Sequence, residues 1–376
     1  MFINREELRE RLLEELEAQG FVIGEERMAL QVDHKTARRE AHRNACSHLV
    51  ERSRKSLARF EQDLLLSIAD GAEIEPHAIL PRLIEVQRGS REELLFRYAR
   101  LHWSIPVSAG YGRRLRFLIW DEAHDRLMGI LGLCDPVFAL GARDVWVGWD
   151  KAQRRERLAN VMDAFVLGAV PPYAQLLGGK LAALAVSSDE VRAAFARRYA
   201  EKQTLISSRC VGPLALITTT SALGRSSIYN RIHFAGMKVF HSVGFTSGSG
   251  DFPFINGVYR DLRRLVEQES VPTAKNALWG KGYRNRREVL LKTFGLLGLS
   301  PKLMYHGIAR EVFVVPLASN TMPFLGGTTD VLETFERPFA ELALWWQKRW
   351  AVPRARRDES YRRFERQSWR LWEKQP

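Results

Sequence analysis

The amino-acid sequence predicts an α+β fold: a central mixed sheet, preceded by a helical N-terminal region and followed by a basic helical C-terminal one. Three observations carry this. Apolar residues recur at helical spacing over about residues 5–19 and 36–66. The period drops to two from Leu115. From Glu341 onward, arginines and aromatic residues interleave to the end of the chain. The expected organisation is therefore a helical region over 1–94, an α+β core over 95–335 and a basic, Trp/Arg-rich tail over 336–376.

In the first helix Leu8, Leu12, Leu13 and Leu16 share a face, and Gly20 supplies the stop. The second carries Cys46, Leu49, Val50, Leu57 and Phe60 as its apolar stripe. Arg38, Arg39, Arg43, Arg52, Arg54, Lys55 and Arg59 surround that stripe, as either a phosphate-facing surface or a solvated face. Pro76 and Pro81 break the pattern, with a boundary near residue 95. Leu115, Phe117 and Ile119 start a strand, Asp121–Asp125 form its turn, and Leu127–Leu133 return as a hairpin ended by Pro136. A basic helix over 151–160 and a buried strand over 164–170, closed by Pro171-Pro172, come next. A strand over 213–218 leads to a loop-to-helix segment over 221–231, then a short-strand region over 236–246. A Gly/Ser loop and mostly basic helix over 258–310 complete the core.

Charge narrows the partner. The chain has 57 Lys and Arg against 44 Asp and Glu, a formal net charge of +13. Such an excess suits phosphate backbones, whose counterion release drives binding. No apolar run approaches the roughly 18 residues of a spanning helix, and neither end carries a signal or lipidation motif. The expectation is a cytoplasmic protein with no membrane partner. Cys46, Cys134 and Cys210 are too scattered for a cysteine zinc site or a disulfide framework.

Several segments carry candidate chemistry. Gly141-Ala-Arg-Asp-Val-Trp-Val-Gly-Trp149 is either a buried Arg143–Asp144 pair beneath a Trp-lined turn or a grip on an anion or base, with Trp149 as its ring. Gly178 and Gly179 open a helix after a strand, where backbone amides can cradle a phosphate with Lys180 as counter-charge; alternatively they serve close packing. Tyr229, flanked by Arg225 and Arg231, is the leading nucleophile, since nearby cations favour the phenolate; a half-buried structural tyrosine is the alternative. Ser226 and Ser227 are secondary nucleophiles or helix caps. Asp135, Asp144 and Asp163 would hold Mg²⁺ if they converged. His102 or His241 would be a general base, or simply structural. Arg113, Arg114 and Arg143 suit phosphate contacts, as do Lys281 and Arg284 in a basic-aromatic stretch. The tail's interleaved rings and arginines suit stacked single strands or a helix docked on the core.

The order of these motifs resembles the DruA-like family. The resemblance is carried by Gly112-Arg-Arg-Leu-Arg-Phe-Leu, Leu127-Met-Gly-Ile-Leu-Gly-Leu, Ala142-Arg-Asp-Val-Trp-Val-Gly-Trp149, Gln153-Arg-Arg-Glu-Arg and Leu176-Leu-Gly-Gly-Lys-Leu, over about residues 95–245. That family is the DruA component of Druantia anti-phage systems, and related domains precede transposase modules in some mobile elements. The resemblance implies phage defence or mobile-DNA biology, with DNA and defence-system proteins as partners; it hands over no catalytic residues. The strand and helix order also resembles the GNAT acyltransferase fold, in which the amides of the turn hold coenzyme A. Gln175-Leu-Leu-Gly-Gly-Lys departs from that turn, because Lys180 stands where a small residue is expected. The leading functional expectation is a DNA-binding protein of anti-phage defence that cleaves or otherwise processes single-stranded DNA. The alternatives are a GNAT-like acyltransferase acting on nucleic acid or protein, and a non-catalytic DNA sensor.

Overall fold

A computed structural model describes residues 4–24, 28–31, 35–103, 112–203, 210–255, 257–273, 282–283 and 285–372. At the N-terminal end lie α1 (Arg5–Ala18), the hairpin of β1 (Phe21–Ile23) and β2 (Met28–Leu30), α2 (Lys35–Leu57) and α3 (Glu61–Leu65). Then come β3 (Pro81–Glu85), α4 (Arg91–Arg100), β4 (Arg114–Asp121), β5 (Arg126–Cys134), α5 (Gly141–Val147), α6 (Lys151–Arg157) and β6 (Val161–Ala169). The second half holds α7 (Gly178–Ala185), α8 (Asp189–Phe195), β7 (Leu216–Thr220), β8 (His233–Phe234), β9 (Met237–Lys238), β10 (His241–Phe245), α9 (Tyr259–Glu269), α10 (Arg286–Leu296) and β11 (Glu311–Pro316). It ends with α11 (Thr321–Gly326), α12 (Phe339–Trp346) and α13 (Val352–Arg357).

Seven strands form one mixed sheet in the order β10-β11-β7-β6-β5-β4-β3. Neighbours are antiparallel except β6 and β7, which run parallel. Both faces are covered. Leu115, Phe117 and Ile119 of β4 and Leu131 and Leu133 of β5 pack against α7, α8 and α12. Leu118, Ile130 and Val166 point the other way, against α3, α4 and the C-terminal Trp369 and Trp372. Burial on both faces is why β5 is an almost continuous apolar run rather than an alternating one. A smaller core joins α1 to α9 and α10 through Leu8, Leu12, Leu16, Leu262 and Leu290.

The expected hairpin and the strands near 164–170, 213–218 and 236–246 are present, with shifted ends. Two sheet members escaped the sequence reading. Strand β11 lies between β10 and β7, and its Val312–Val315 are all buried, so it offers no alternation to detect. Strand β3 opens on Pro81, which an outermost strand tolerates at its first position. The expected long helix breaks after Leu57 into a 3₁₀ turn before α3. The segment over 221–231 makes only a 3₁₀ turn at Tyr229–Arg231 rather than a helix.

The tail differs most from a stacking platform. Trp346, Trp350, Tyr361, Trp369 and Trp372 are all buried. Burying each ring contributes roughly 1.5–3 kcal/mol, so these aromatics hold the sheet's cover rather than waiting for bases. No helix among the described residues is long and apolar enough to cross a membrane.

Candidate functional site

The parallel pair sets the site. β6 and β7 pair only at Val161–Leu216, Met162–Ile217 and Asp163–Thr218, after which β6 continues to Ala169 paired with β5. The chain then turns through Pro171–Ala174 into α7, whose preceding Leu177 has a positive φ of 61°. Gly178 is required there, since a Cβ would lie 2.7 Å from the Tyr173 carbonyl and 2.8 Å from the Ala169 Cβ. Its amide donates to the Tyr173 carbonyl at 2.8 Å, and that of Lys180 to the Leu177 carbonyl at 2.9 Å. The Gly178 amide, one of the two expected to cradle a phosphate, is therefore already bonded, and Gly178 serves close packing.

Tyr229 follows β7 and faces this opening. Its ring stacks on Phe240 at 4.7 Å and meets Phe313 edge-on at 5.2 Å. Buried Glu311 fixes the loop beneath it, accepting from the Ser226 amide at 2.8 Å, the Asn230 side-chain amide and the Ser242 hydroxyl at 2.8 Å. The expectation of an acidified phenol is corrected. Desolvation pushes the Tyr229 pKa up to about 12, helped by the charge of Asp163 and opposed by a hydrogen bond with Thr219. The phenol is a proton holder, not a ready phenolate. Asp163 accepts from the Thr218 hydroxyl at 2.8 Å, and desolvation raises its pKa to about 6.

A cleft of about 440 Å³ brings Tyr229, Gly179 and Lys180 together with His102, Trp103 and Gly168. Lys180 lies 4.5 Å over the Trp350 ring, and desolvation, then Arg231 and Arg349, lower its pKa. Trp103 lies so close to β6 that a Cβ on Gly168 would sit 2.0 Å from its ring. His102 stacks at 3.7 Å on Trp369, and burial drives its pKa down to about 3. A general base at neutral pH needs a higher value, so the expected base role does not suit His102. His241 is lowered as well, first by desolvation.

Other candidates sit elsewhere and are held by the fold. Arg143 is fully buried: its Nε and Nη2 donate to Asp144 at 2.8 and 2.6 Å, and Nη1 and Nη2 to the Val137 and Phe138 carbonyls. Asp144 also takes Arg154 at 2.9 Å, and the Trp149 indole donates to the Leu325 carbonyl at 2.6 Å. Arg113 grips Asp135 at 2.5 Å and the carbonyls of Ala159 and Val161. Arg114 lies 5.4 Å over Phe165. Arg225, Ser227 and Arg231 are exposed. Asp135 and Asp144 are each held by an arginine and Asp163 by Thr218. Among the described residues no three His, Cys, Asp or Glu side chains gather as metal ligands, which leaves the expected Mg²⁺ triad without a meeting point. Lys281 and Arg284 lie outside the described residues. The sequence reading missed Trp103, Gly168 and Glu311. The adjacent His102 gave the only hint of Trp103, and the acidic start of an apolar run the only hint of Glu311.

Comparison with known proteins adds the family. A family model described as Druantia protein DruA matches residues 32–327. A curated Druantia protein DruA from Escherichia coli (strain UMEA 4076-1) is 37% identical over 362 residues, covering 94% of this chain and 89% of that protein. No solved structure matches the chain.

Proposed function

The chain belongs to the DruA family, and from that premise we propose that it is a DNA-binding protein of anti-phage defence that processes single-stranded DNA in the Tyr229 cleft. One observation carries this reading: a protonated phenol, a lysine and a tryptophan line the same cleft, beside the point where two parallel strands part. Trp103 offers a face on which an unpaired base stacks. Lys180 supplies the positive charge for its phosphate. Tyr229 then donates its proton or a hydrogen bond to a phosphate or leaving oxygen, the role its raised pKa suits. A water molecule is the attacking group that forms the new P–O bond as the leaving oxygen departs, and Asp163, whose charge Tyr229 feels and whose pKa is raised to about 6, is the candidate acceptor of its proton.

The test uses end-labelled single- and double-stranded oligonucleotides on denaturing gels, with and without Mg²⁺. Shortened single strands with the wild-type protein, lost in Tyr229→Phe while native-gel binding persists, are expected. A heat-resistant protein–DNA adduct would restore the nucleophile role to Tyr229. Intact DNA in every lane with salt-sensitive binding would make the protein a sensor.

A second reading is an acyltransferase. It is favoured by the short parallel pairing that opens directly toward a glycine-led helix, with a protonated tyrosine able to give its proton to a leaving thiolate. The bonded amide of Gly178 weighs against a coenzyme A cradle. Calorimetry with acetyl-coenzyme A decides it: no heat of binding discards the reading.

A further inference from the structure

A second and larger cleft, of about 870 Å³, lies between α2 and the C-terminal Trp372. His102 and Trp103 line both clefts, so the two adjoin. Its rim is basic. Arg39 and Arg43 stand one turn apart on α2, both are exposed, and neither has an ion-pair or hydrogen-bond partner among the described residues. Glu51 is the one acid among its described lining residues, and Arg54 already stands 3.8 Å from it. The floor, by contrast, is apolar and aromatic, with Cys46, Leu101, Trp103 and Trp372.

The surroundings deepen the positive character. Desolvation pushes the pKa of the buried Cys46 thiol up to about 12, and the charge of Arg100 opposes that rise. Desolvation is the first cause that lowers the Arg100 pKa, and the nearby cations Arg114, Arg97 and Arg116 add to it. Phosphate recognition by arginine is favoured by the match of the guanidinium fork to phosphate oxygens. An apolar, aromatic floor is what a base needs and an acidic peptide does not.

We propose that the α2 cleft is a nucleoside-phosphate site, with the phosphate on Arg39 and Arg43 and the base against the Trp103 side of the floor. The volume suits such a ligand, since small-molecule sites run from about 300 to 1,000 Å³. The nucleotide has two sources: a residue of a DNA strand, whose next nucleotide then enters the Tyr229 cleft, or a free nucleotide. Only the strand-borne source rests on the function proposed above.

The experiment measures anisotropy of fluorescein-labelled (dT)12 and calorimetry with ATP and dTMP, using the full chain. Wild type is compared with Arg39→Glu/Arg43→Glu, with the milder Arg39→Gln/Arg43→Gln pair, and with Lys180→Ala. Thermal melts confirm folding, which the exposed positions should preserve. Loss of at least tenfold in oligonucleotide affinity in the double variants, with the salt slope reduced by about 1.4 for two lost phosphate contacts, supports the strand-borne source. Binding of a free nucleotide that both double variants abolish supports the free source, and without oligonucleotide binding it does so while overturning the function proposed above. Oligonucleotide binding that survives both double variants but fails in Lys180→Ala overturns the α2 site and keeps that function. Wild-type protein that binds neither ligand overturns both.

Discussion

Two regions of this molecule are rich in arginine and tryptophan, and they use them in opposite ways. In the segment over 137–154, Arg143 has Nε, Nη1 and Nη2 all bonded within the fold, and Trp149 spends its indole N–H on a carbonyl. Along α2, Arg39 and Arg43 project with no partner among the described residues beside a floor that includes Trp103 and Trp372. Both regions set arginines near tryptophan rings; they differ in how the arginine donors are used. Arginine density therefore locates no ligand surface until the local carboxylates and carbonyls have been counted against its donors.

The sharpest way to break this comparison is Asp144→Ala. Arg143 would keep its charge in a fully buried position without its hydrogen-bonded carboxylate, and Arg154 would lose its partner as well. Removing one member of a buried pair typically costs about 3–5 kcal/mol, so urea unfolding should show a loss of that order. Arg43→Ala, exposed and unpartnered, should change stability by less than about 0.5 kcal/mol. If the two variants proved equally stable, the 137–154 segment would have to be reconsidered as a ligand surface.

A middle-sized effect comes from Asp163. Its folded pKa of about 6 lies above the usual carboxylate value because of desolvation. The folded state thus binds a proton more tightly than the unfolded chain. Stability from this group is fully present below about pH 4, and it is lost as pH rises through about 6. Asp163→Asn keeps an oxygen for the Thr218 hydroxyl and removes the titration. Comparing unfolding free energies at pH 4.5 and 7.5, the variant should lose less stability than wild type on going to the higher pH, by on the order of 1–2 kcal/mol. Identical pH profiles would show that Asp163 keeps an ordinary carboxylate pKa in the fold, which is too weak a base for the proton acceptor beside Tyr229.

Local patterns in the sequence found what local physics dictates. The alternation at Leu115–Ile119, the polar turn at Asp121–Asp125 and the α1 stripe ended by Gly20 all depend on neighbours in the chain, and all were legible. Strand β11 was not, because a four-residue run buried on both faces carries no period. The site divides in the same way. Tyr229 and Lys180 were legible as residues, and their shared cleft follows the parting of β6 and β7. The direction of the Tyr229 shift was misjudged because the flanking Arg225 and Arg231 point to solvent while Phe240 and Phe313 enclose the ring. Sequence adjacency supplied the cations; tertiary packing supplied the desolvation, which is the larger influence.

The tail offers the smallest expected effect and the finest test of the rule about arginine donors. Lys348 and Arg356 are exposed and basic, as a nucleic-acid surface would require. Yet the rings around them are core: Trp346 and Trp350 are buried, and the indole N–H of Trp346 donates to the Leu177 carbonyl at 3.0 Å. Charge without an accessible ring or a cleft attracts phosphate only weakly at physiological salt. Lys348→Gln/Arg356→Gln should therefore change oligonucleotide affinity by about twofold or less and leave the salt slope within about half a unit, where two direct phosphate contacts would remove about 1.4. Deleting the whole tail cannot replace this measurement, because it would also strip Trp346 from the sheet and unfold its cover. A full loss of slope in the double variant would move the strand's path onto α12 and α13, and the α2 cleft would then hold a free nucleotide or none.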